Sequence, residues 1–312
     1  MKIGFFDDFR LGVVKGDTIV DVASAVSDIP RVGPHDLING LIERFAEYRG
    51  KLEEAAVTGK AIPLSSVRIR PPLPRPINIA CMAVNYMEDG TLEKPAPING
   101  FHKSPNAIIG DGDTMVLPDV PATIFEGEAE MALVIGKRAT RVKAADAMDH
   151  IFGYMNFIDG SARGLPPAGN VFYQMKSRDT FAPIGPFIVT KDEIADPQKL
   201  QVRLWINGVL KQNFNTDDMA HKIPRCVEWV SSIHTLEPGD ILATGTNHRG
   251  LSSFQDGDKI EIETEGLGRL TFSVKDELKR TWGRETRLEQ AQKKAATPTT
   301  PQLTGKYAAA AS

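Results

Sequence analysis

Four prolines in six residues, Pro71-Pro-Leu-Pro-Arg-Pro76, can neither continue a helix nor lie inside a sheet, so the chain must change structural units there. Before this block, short apolar pieces at residues 3–6, 13–14 and 18–22 alternate with turns, and apolar residues at helical spacing predict a helix over 35–56. Residues 1–70 therefore read as a small N-terminal α+β domain. After the block, β-like runs follow at 77–80, 115–117, 131–135, 187–189, 202–206, 241–243, 259–263 and 270–274. Asn207-Gly208, Pro238-Gly-Asp240 and Asp256-Gly-Asp258 punctuate them as turns. The pattern predicts a β-rich mixed domain with few helices over 71–276. Residues 277–312 begin charged and helical, then run through Ala295-Ala-Thr-Pro-Thr-Thr-Pro301 into alanines, and read as a tail disordered or docked on a neighbour.

Charge narrows the partners. Lys plus Arg number 37 against 40 Asp plus Glu, a formal net charge of -3, so there is no basic field to hold nucleic acid or an anionic membrane. The expected substrate is a small molecule. No apolar stretch is long enough to span a bilayer, and Met1-Lys-Ile-Gly-Phe-Phe reads as a strand rather than a secretion signal, which places the expected location in the cytoplasm. Cys81 and Cys226 are too few for a disulfide framework and lack metal-motif spacing; Cys81 reads as a buried thiol.

The chemistry gathers around Glu128 and Glu130, two residues apart at the head of Met131-Ala-Leu-Val-Ile135. In a strand, period-two alternation puts both carboxylates on one face. Such a pair is either the solvated edge of a sheet or half of a metal site. Asp159, in Phe157-Ile-Asp-Gly-Ser-Ala-Arg163, is the third carboxylate that a divalent cation with oxygen ligands needs, since like charges so close repel unless a cation or proton joins them. Six scattered histidines offer no pair with zinc-ligand spacing. Neither a serine-nucleophile elbow nor a nucleotide-binding fingerprint is present, because Gly160-Ser-Ala-Arg-Gly164 and Gly266-Leu-Gly268 lack the required pattern.

The ordered blocks Asn85-Tyr86, Phe101-His-Lys103-Ser-Pro105, Glu128-Ala-Glu130, Val134-Ile-Gly-Lys137, Gly153-Tyr154, Asp159-Gly-Ser-Ala-Arg163, Lys176-Ser-Arg-Asp179, Gly185-Pro186, Asn207-Gly208, Pro238-Gly-Asp240 and Gly245-Thr246 resemble the fumarylacetoacetate hydrolase family. The resemblance spans roughly 77–274. It implies a mixed β-sheet roll and a homodimer. It also implies a divalent metal, usually Mg²⁺ with Mn²⁺ or Ca²⁺ as alternatives, on Glu128, Glu130 and Asp159. By the same match Lys176 faces the substrate as a catalytic candidate, and Tyr86, Lys103, Arg163, Gly245 and Thr246 are substrate-binding candidates.

The implied activity is hydrolysis of a carbon–carbon bond in a small acylpyruvate-like or β-diketo acid through a metal-stabilised enolate, as in aromatic catabolism. The same enolate step without attacking water gives the alternatives: 2-oxo acid decarboxylation, tautomerisation or hydration. A protein of this fold that binds without turnover is a further alternative.

The chain departs from the family at the water-activating dyad. Hydrolytic members carry Asn-Tyr-x-x-His-x-x-Glu, whereas here the histidine position holds Asp89 and the glutamate position Leu92, followed by Glu93. Asp89, Glu88 or Glu93 on a lid is one substitute, with a solvated acidic loop as the alternative. His248 and His102 are the candidate histidines. Gly164 and Ile158 replace the family's aspartate and asparagine around the arginine block, and Asn247 replaces the proline of its Gly-Thr-Pro turn. Loops at 166–174 and 247–254 are expected to shape the pocket.

Overall fold

Two long antiparallel strands, Ile124–Ile135 and Ile151–Arg163, form the axis of the fold. Every residue of the first is buried, as is every residue of the second but Arg163, so these strands are covered on both faces. The structure, a computed structural model, describes residues 1–167, 169 and 172–308. Residues 168, 170 and 171 of the first pocket loop, and 309–312 of the tail, lie outside the described residues. The glutamate pair is not at the head of a strand that starts at 131. The strand starts seven residues earlier because Phe125, Gly127 and Ala129 keep one face small or apolar through the acidic stretch.

Among the described residues these two strands stand inside a twelve-stranded mixed sheet. Ala182–Thr190 lies along one side of the pair, and Ile241–Ala243, the parallel strand Ile79–Ala83 and the edge strand Asn99–His102 along the other. A five-stranded sheet packs on one face. Alternation divides the core: Met131, Leu133 and Ile135 meet Val202, Leu204, Ile260, Ile262 and Phe272 of the small sheet, whereas Ala132 and Val134 join Phe5, Leu37, Leu41 and Leu52 beneath the N-terminal helices. The fold is α+β and β-rich, as the runs and turns imply.

The N-terminal strand Lys2–Phe6 pairs with Ala182–Thr190, so the sheet of residues 1–70 is continuous with the large one. The helix expected over 35–56 is two, Pro34–Glu43 and Phe45–Thr58. Arg44 leaves helical backbone at φ -110°, ψ 22°, while Phe45 packs edge-on against Phe152 at 4.9 Å. Tertiary packing breaks a helix whose apolar spacing runs on without interruption. The tail carries the helix Arg287–Gln292 and folds back so that Gln302–Thr304 pairs with Thr281–Trp282, while Arg287 binds Glu126 and Lys306 binds Asp119, so the described part of it docks on the chain's own body.

Gly153 shows how closely the central strands approach. It lies opposite Thr190, and an added Cβ would sit 2.3 Å from the Val189 carbonyl oxygen and 3.1 Å from Thr190 Cα. No side-chain rotation relieves a clash with backbone. Gly153→Ala is expected to cost about 1–3 kcal/mol, read as a lower urea midpoint at unchanged slope.

Candidate active site

Cross-strand register assembles the carboxylates. Glu128 stands directly opposite Asp159, and Glu130 is the next residue on the same face, so three oxygen donors from Glu128, Glu130 and Asp159 lie within 4.8 Å of one another. All three side chains are buried. This is the face that carries Ala132 and Val134 toward the helices, and along one strand it changes from apolar to acidic. The solvated-edge alternative is thereby removed. Cys81 lies near them, and burial, then Asp159 and Glu130, push its thiol well above the usual range.

Buried like charges held face to face require compensation. Lys176, at the end of the helix Phe172–Lys176, places Nζ 3.0 Å from Glu128 Oε1 and against Asp159 Oδ2, with the ring of Phe101 5.2 Å away. Lys103 follows the edge strand Asn99–His102 and donates to Asp159 Oδ1 at 2.6 Å and to the Gly160 carbonyl at 3.1 Å. Arg163 Nε donates to Glu126 Oε2 at 3.0 Å, and its Nη2 reaches Glu128. Burial weakens the Arg163 cation, but Glu128, Glu126 and Asp159 outweigh it and raise its pKa. Burial likewise opposes ionisation of Glu128, but Lys176, Arg163 and His248 hold its carboxyl well below the usual range.

Glu130 is the exception. Its Oε2 accepts from the Gly245 N–H at 2.6 Å, yet Oε1 is buried without a hydrogen-bond partner. Burial first, then Asp159 and Glu128, push its carboxyl well above the usual range. An unsatisfied buried carboxylate oxygen facing two others is what a divalent cation satisfies, and an all-oxygen donor set suits a hard ion. The triad fits a divalent metal.

Sequence reasoning missed Glu126 and Arg287. Glu126 continues the alternation Glu126-x-Glu128-x-Glu130, the signal that could have revealed it, and is held by Arg163 and by Arg287 Nε at 3.1 Å. Gln212 was missed as well. Next to the carboxylates the edge of the 124–135 strand meets side chains instead of a paired strand's backbone: Gln212, from the strand Val209–Asn215, accepts from the Ala129 N–H at 3.0 Å, and the hydroxyl of the loop residue Thr246 donates to the Ala129 carbonyl at 2.7 Å. Gln212 also donates to Thr246 Oγ1 at 2.8 Å, which fixes Gly245-Thr246 against the site. Gly245 adopts φ +87°, and a Cβ there would meet Asn85 Cβ at 2.9 Å.

The remaining candidates separate. Tyr86 is fully buried edge-on to Phe214 at 5.0 Å, its hydroxyl without a partner. Lys103, with no solvent-exposed side chain, serves the carboxylates from inside the protein. Glu93 is exposed. Asp89 binds Arg249 at 2.9 Å and Asn247 at 3.1 Å. His102 turns away from the site that Lys103 enters, because successive residues of an extended chain point to opposite faces; its Nε2 lies 3.0 Å from His234 Nε2. Burial, then His234, lower its pKa. His248 places Nδ1 2.6 Å from Glu88 Oε1.

Residues 78–275 match the family described as fumarylacetoacetate (FAA) hydrolase C-terminal. The chain is 32% identical over 291 residues to the maleylpyruvate hydrolase of Aquipseudomonas alcaligenes, covering 88% of this chain and 99% of that protein. It is 38% identical over 224 residues to the oxaloacetate tautomerase YisK of Bacillus subtilis (strain 168), covering 68% of this chain and 74% of that protein. Among solved structures, the maleylpyruvate hydrolase from Sphingobium sp. SYK-6 in complex with manganese (II) ion and pyruvate is similar at TM-score 0.80 and 36% identity, over 88% of this chain and 99% of that one. With the register-assembled triad at the centre of the matched region, the chain belongs to the fumarylacetoacetate hydrolase family.

Proposed function

We propose that this protein is a divalent-metal-dependent hydrolase that cleaves the carbon–carbon bond of a small acylpyruvate-like or β-diketo acid. The observation that carries the reading is the buried triad Glu128, Glu130 and Asp159 with Lys176 against two of its members. A bound divalent ion, Mg²⁺ or Mn²⁺, would polarise adjacent carbonyl oxygens of the substrate and offset the negative charge that bond cleavage leaves on them. The three carboxylates would hold that ion. Lys176, almost fully buried, would supply a positive charge where an enolate develops. Arg163 keeps 19% of its side chain exposed at the rim and would orient a substrate carboxylate through its guanidinium. The loop Gly245-Thr246, pinned by Glu130 and Gln212, would close the opposite side. The likeness to maleylpyruvate hydrolases over most of both chains supports hydrolysis, a homodimer is inferred from the family resemblance, and cytoplasmic catabolism of aromatic compounds is the setting we infer.

A second reading, 2-oxo acid tautomerisation or decarboxylation, is favoured by Asp89, which stands at the family's histidine position but is engaged with Arg249. The likeness to oxaloacetate tautomerases supports it as well. Metal-stripped protein incubated with acetylpyruvate, maleylpyruvate and oxaloacetate, with and without Mg²⁺ or Mn²⁺, decides between them by mass analysis of products and by the ultraviolet absorbance of the oxaloacetate enol. Metal-dependent pyruvate plus a second acid is the expected result. Conversion of oxaloacetate alone would replace the hydrolase reading with the second. Metal binding with no turnover of any of the three would leave a binding protein.

A further inference from the structure

The family's water-activating histidine is missing from its usual place, yet a histidine–glutamate pair built from two other positions stands at the loop whose Gly245 N–H binds Glu130. We infer that His248, held by Glu88, is the general base of this site; the inference rests on the hydrolase reading above. Glu88 clamps His248 at two points: Oε2 accepts from the His248 backbone N–H at 2.9 Å, and Oε1 lies 2.6 Å from ring Nδ1. An ionised carboxylate only accepts, so the ring proton sits on Nδ1 and the lone pair on Nε2. Among the described residues nothing hydrogen-bonds to Nε2. The ring is 23% exposed, open to water on one side, and His248 follows Gly245 and Thr246, which bind Glu130 and the Ala129 carbonyl.

The surrounding loops fix this arrangement. Glu88 and Asp89 have φ of 55° and 54°, two successive left-handed non-glycine residues that surrounding contacts must hold, followed by Gly90 at 75°. Those contacts come from the His248 loop and from Asp218: Arg249 binds Asp89 at 2.9 Å, Asn247 binds Asp89 at 3.1 Å and Asp218 at 3.2 Å, and the Asp89 N–H donates to Asp218 at 3.1 Å. Glu88 and Asp89 of the acidic stretch therefore form a clasp that aims Glu88 at His248, while Glu93 is exposed.

In the step assigned to the pair, the water oxygen attacks the acyl carbonyl carbon while one water proton passes to Nε2. The bond from that carbon to the neighbouring methylene breaks, and its electron pair stays on the pyruvate fragment as an enolate. The proton on Nε2 then goes to the methylene carbon, while the new carboxylic acid loses its own proton to solvent. Glu88 is a positioning residue, acting through the imidazole.

The test compares wild type, His248→Gln and Glu88→Gln in three measurements: Mn²⁺ affinity, acylpyruvate hydrolysis with metal, and the downfield imidazole N–H region of the proton NMR spectrum without metal. The expected result is a hydrogen-bonded N–H resonance in wild type that both variants lose, with Mn²⁺ affinity within about threefold of wild type as evidence of an intact site. His248→Gln should lower kcat by about 10²-fold or more at nearly constant KM, and Glu88→Gln should lower kcat by a smaller factor. His248→Gln with kcat within about threefold of wild type overturns the assignment, as does a wild type without the resonance. Wild type that binds Mn²⁺ and shows the resonance but forms no acid pair overturns the hydrolase reading, and the base role with it, while leaving the pair itself established.

Discussion

Glu130→Gln is expected to raise the melting temperature of the metal-free protein and to remove its divalent-cation binding. Glutamine has the same shape, keeps an oxygen for the Gly245 N–H, and places an amide donor where Asp159 and Glu128 can accept. It also deletes the one buried carboxylate whose ionisation the site opposes. The gain is on the order of 1 kcal/mol, the size seen when an unfavourable buried charge is replaced by a neutral group of similar volume. Loss of a direct ligand should weaken Mn²⁺ binding by at least about 100-fold, the upper range for disturbing residues merely behind the ligands.

The pH dependence gives this prediction a sign. Glu130 titrates higher in the folded protein than in the unfolded chain, so between those two values the folded state holds the extra proton, and stability falls as pH rises through the folded value. Glu128 is shifted the other way. Its contribution is present above the unfolded value and is lost as pH falls through the depressed one. Metal-free wild type should therefore lose stability in both directions, and Glu130→Gln should lose only the alkaline decline. Thermal unfolding across pH in chelator, with calorimetric Mn²⁺ titration, measures both effects; an unchanged alkaline decline together with retained Mn²⁺ affinity would remove Glu130 from the metal site.

How much of this was legible depended on sequence distance. Alternation within one strand is local, so Glu128 and Glu130 could be placed on a common face without knowing what lay opposite. Glu126 obeys the same alternation, but its partner Arg287 lies 161 residues away in a stretch that composition marks only as charged. Asp159 was legible as a third carboxylate, and the family resemblance agreed, but its place opposite Glu128 is a matter of register between two strands, for which spacing gives no number. The Glu88–His248 contact spans 160 residues between two loops, where neither periodicity nor turn chemistry acts. Burial of a charged side chain is likewise set by distant partners. A lysine reads as solvated until its partners are known, and Lys103 is fully enclosed because Asp159 and the Gly160 carbonyl replace water around its ammonium group. The helix over 35–56 failed at Arg44, since the energy of seating Phe45 against Phe152 is not written in the helical spacing.

Lys176→Met should have the largest effect on the metal-free protein, and an opposite effect on metal affinity. The lysine Nζ touches both Glu128 and Asp159, which stand directly opposite each other, so its removal leaves two facing carboxylates with one fewer cation in a site that excludes water. Breaking a buried pair by removing one partner costs about 3–5 kcal/mol. The lost positive charge had also repelled any cation approaching the same oxygens, so Mn²⁺ should bind more tightly to the variant than to wild type. Metal should then restore most of the lost stability, giving a larger metal-dependent rise in Tm than wild type shows. Turnover should nevertheless fall by about 10²–10³-fold, because a fixed positive charge beside the developing enolate is gone. The three readouts together separate a charge that serves the reaction from one that only holds the carboxylates in place: a variant with weaker Mn²⁺ binding would mean that Lys176 positions the ligands, and one with undiminished kcat would mean that the enolate is stabilised without it.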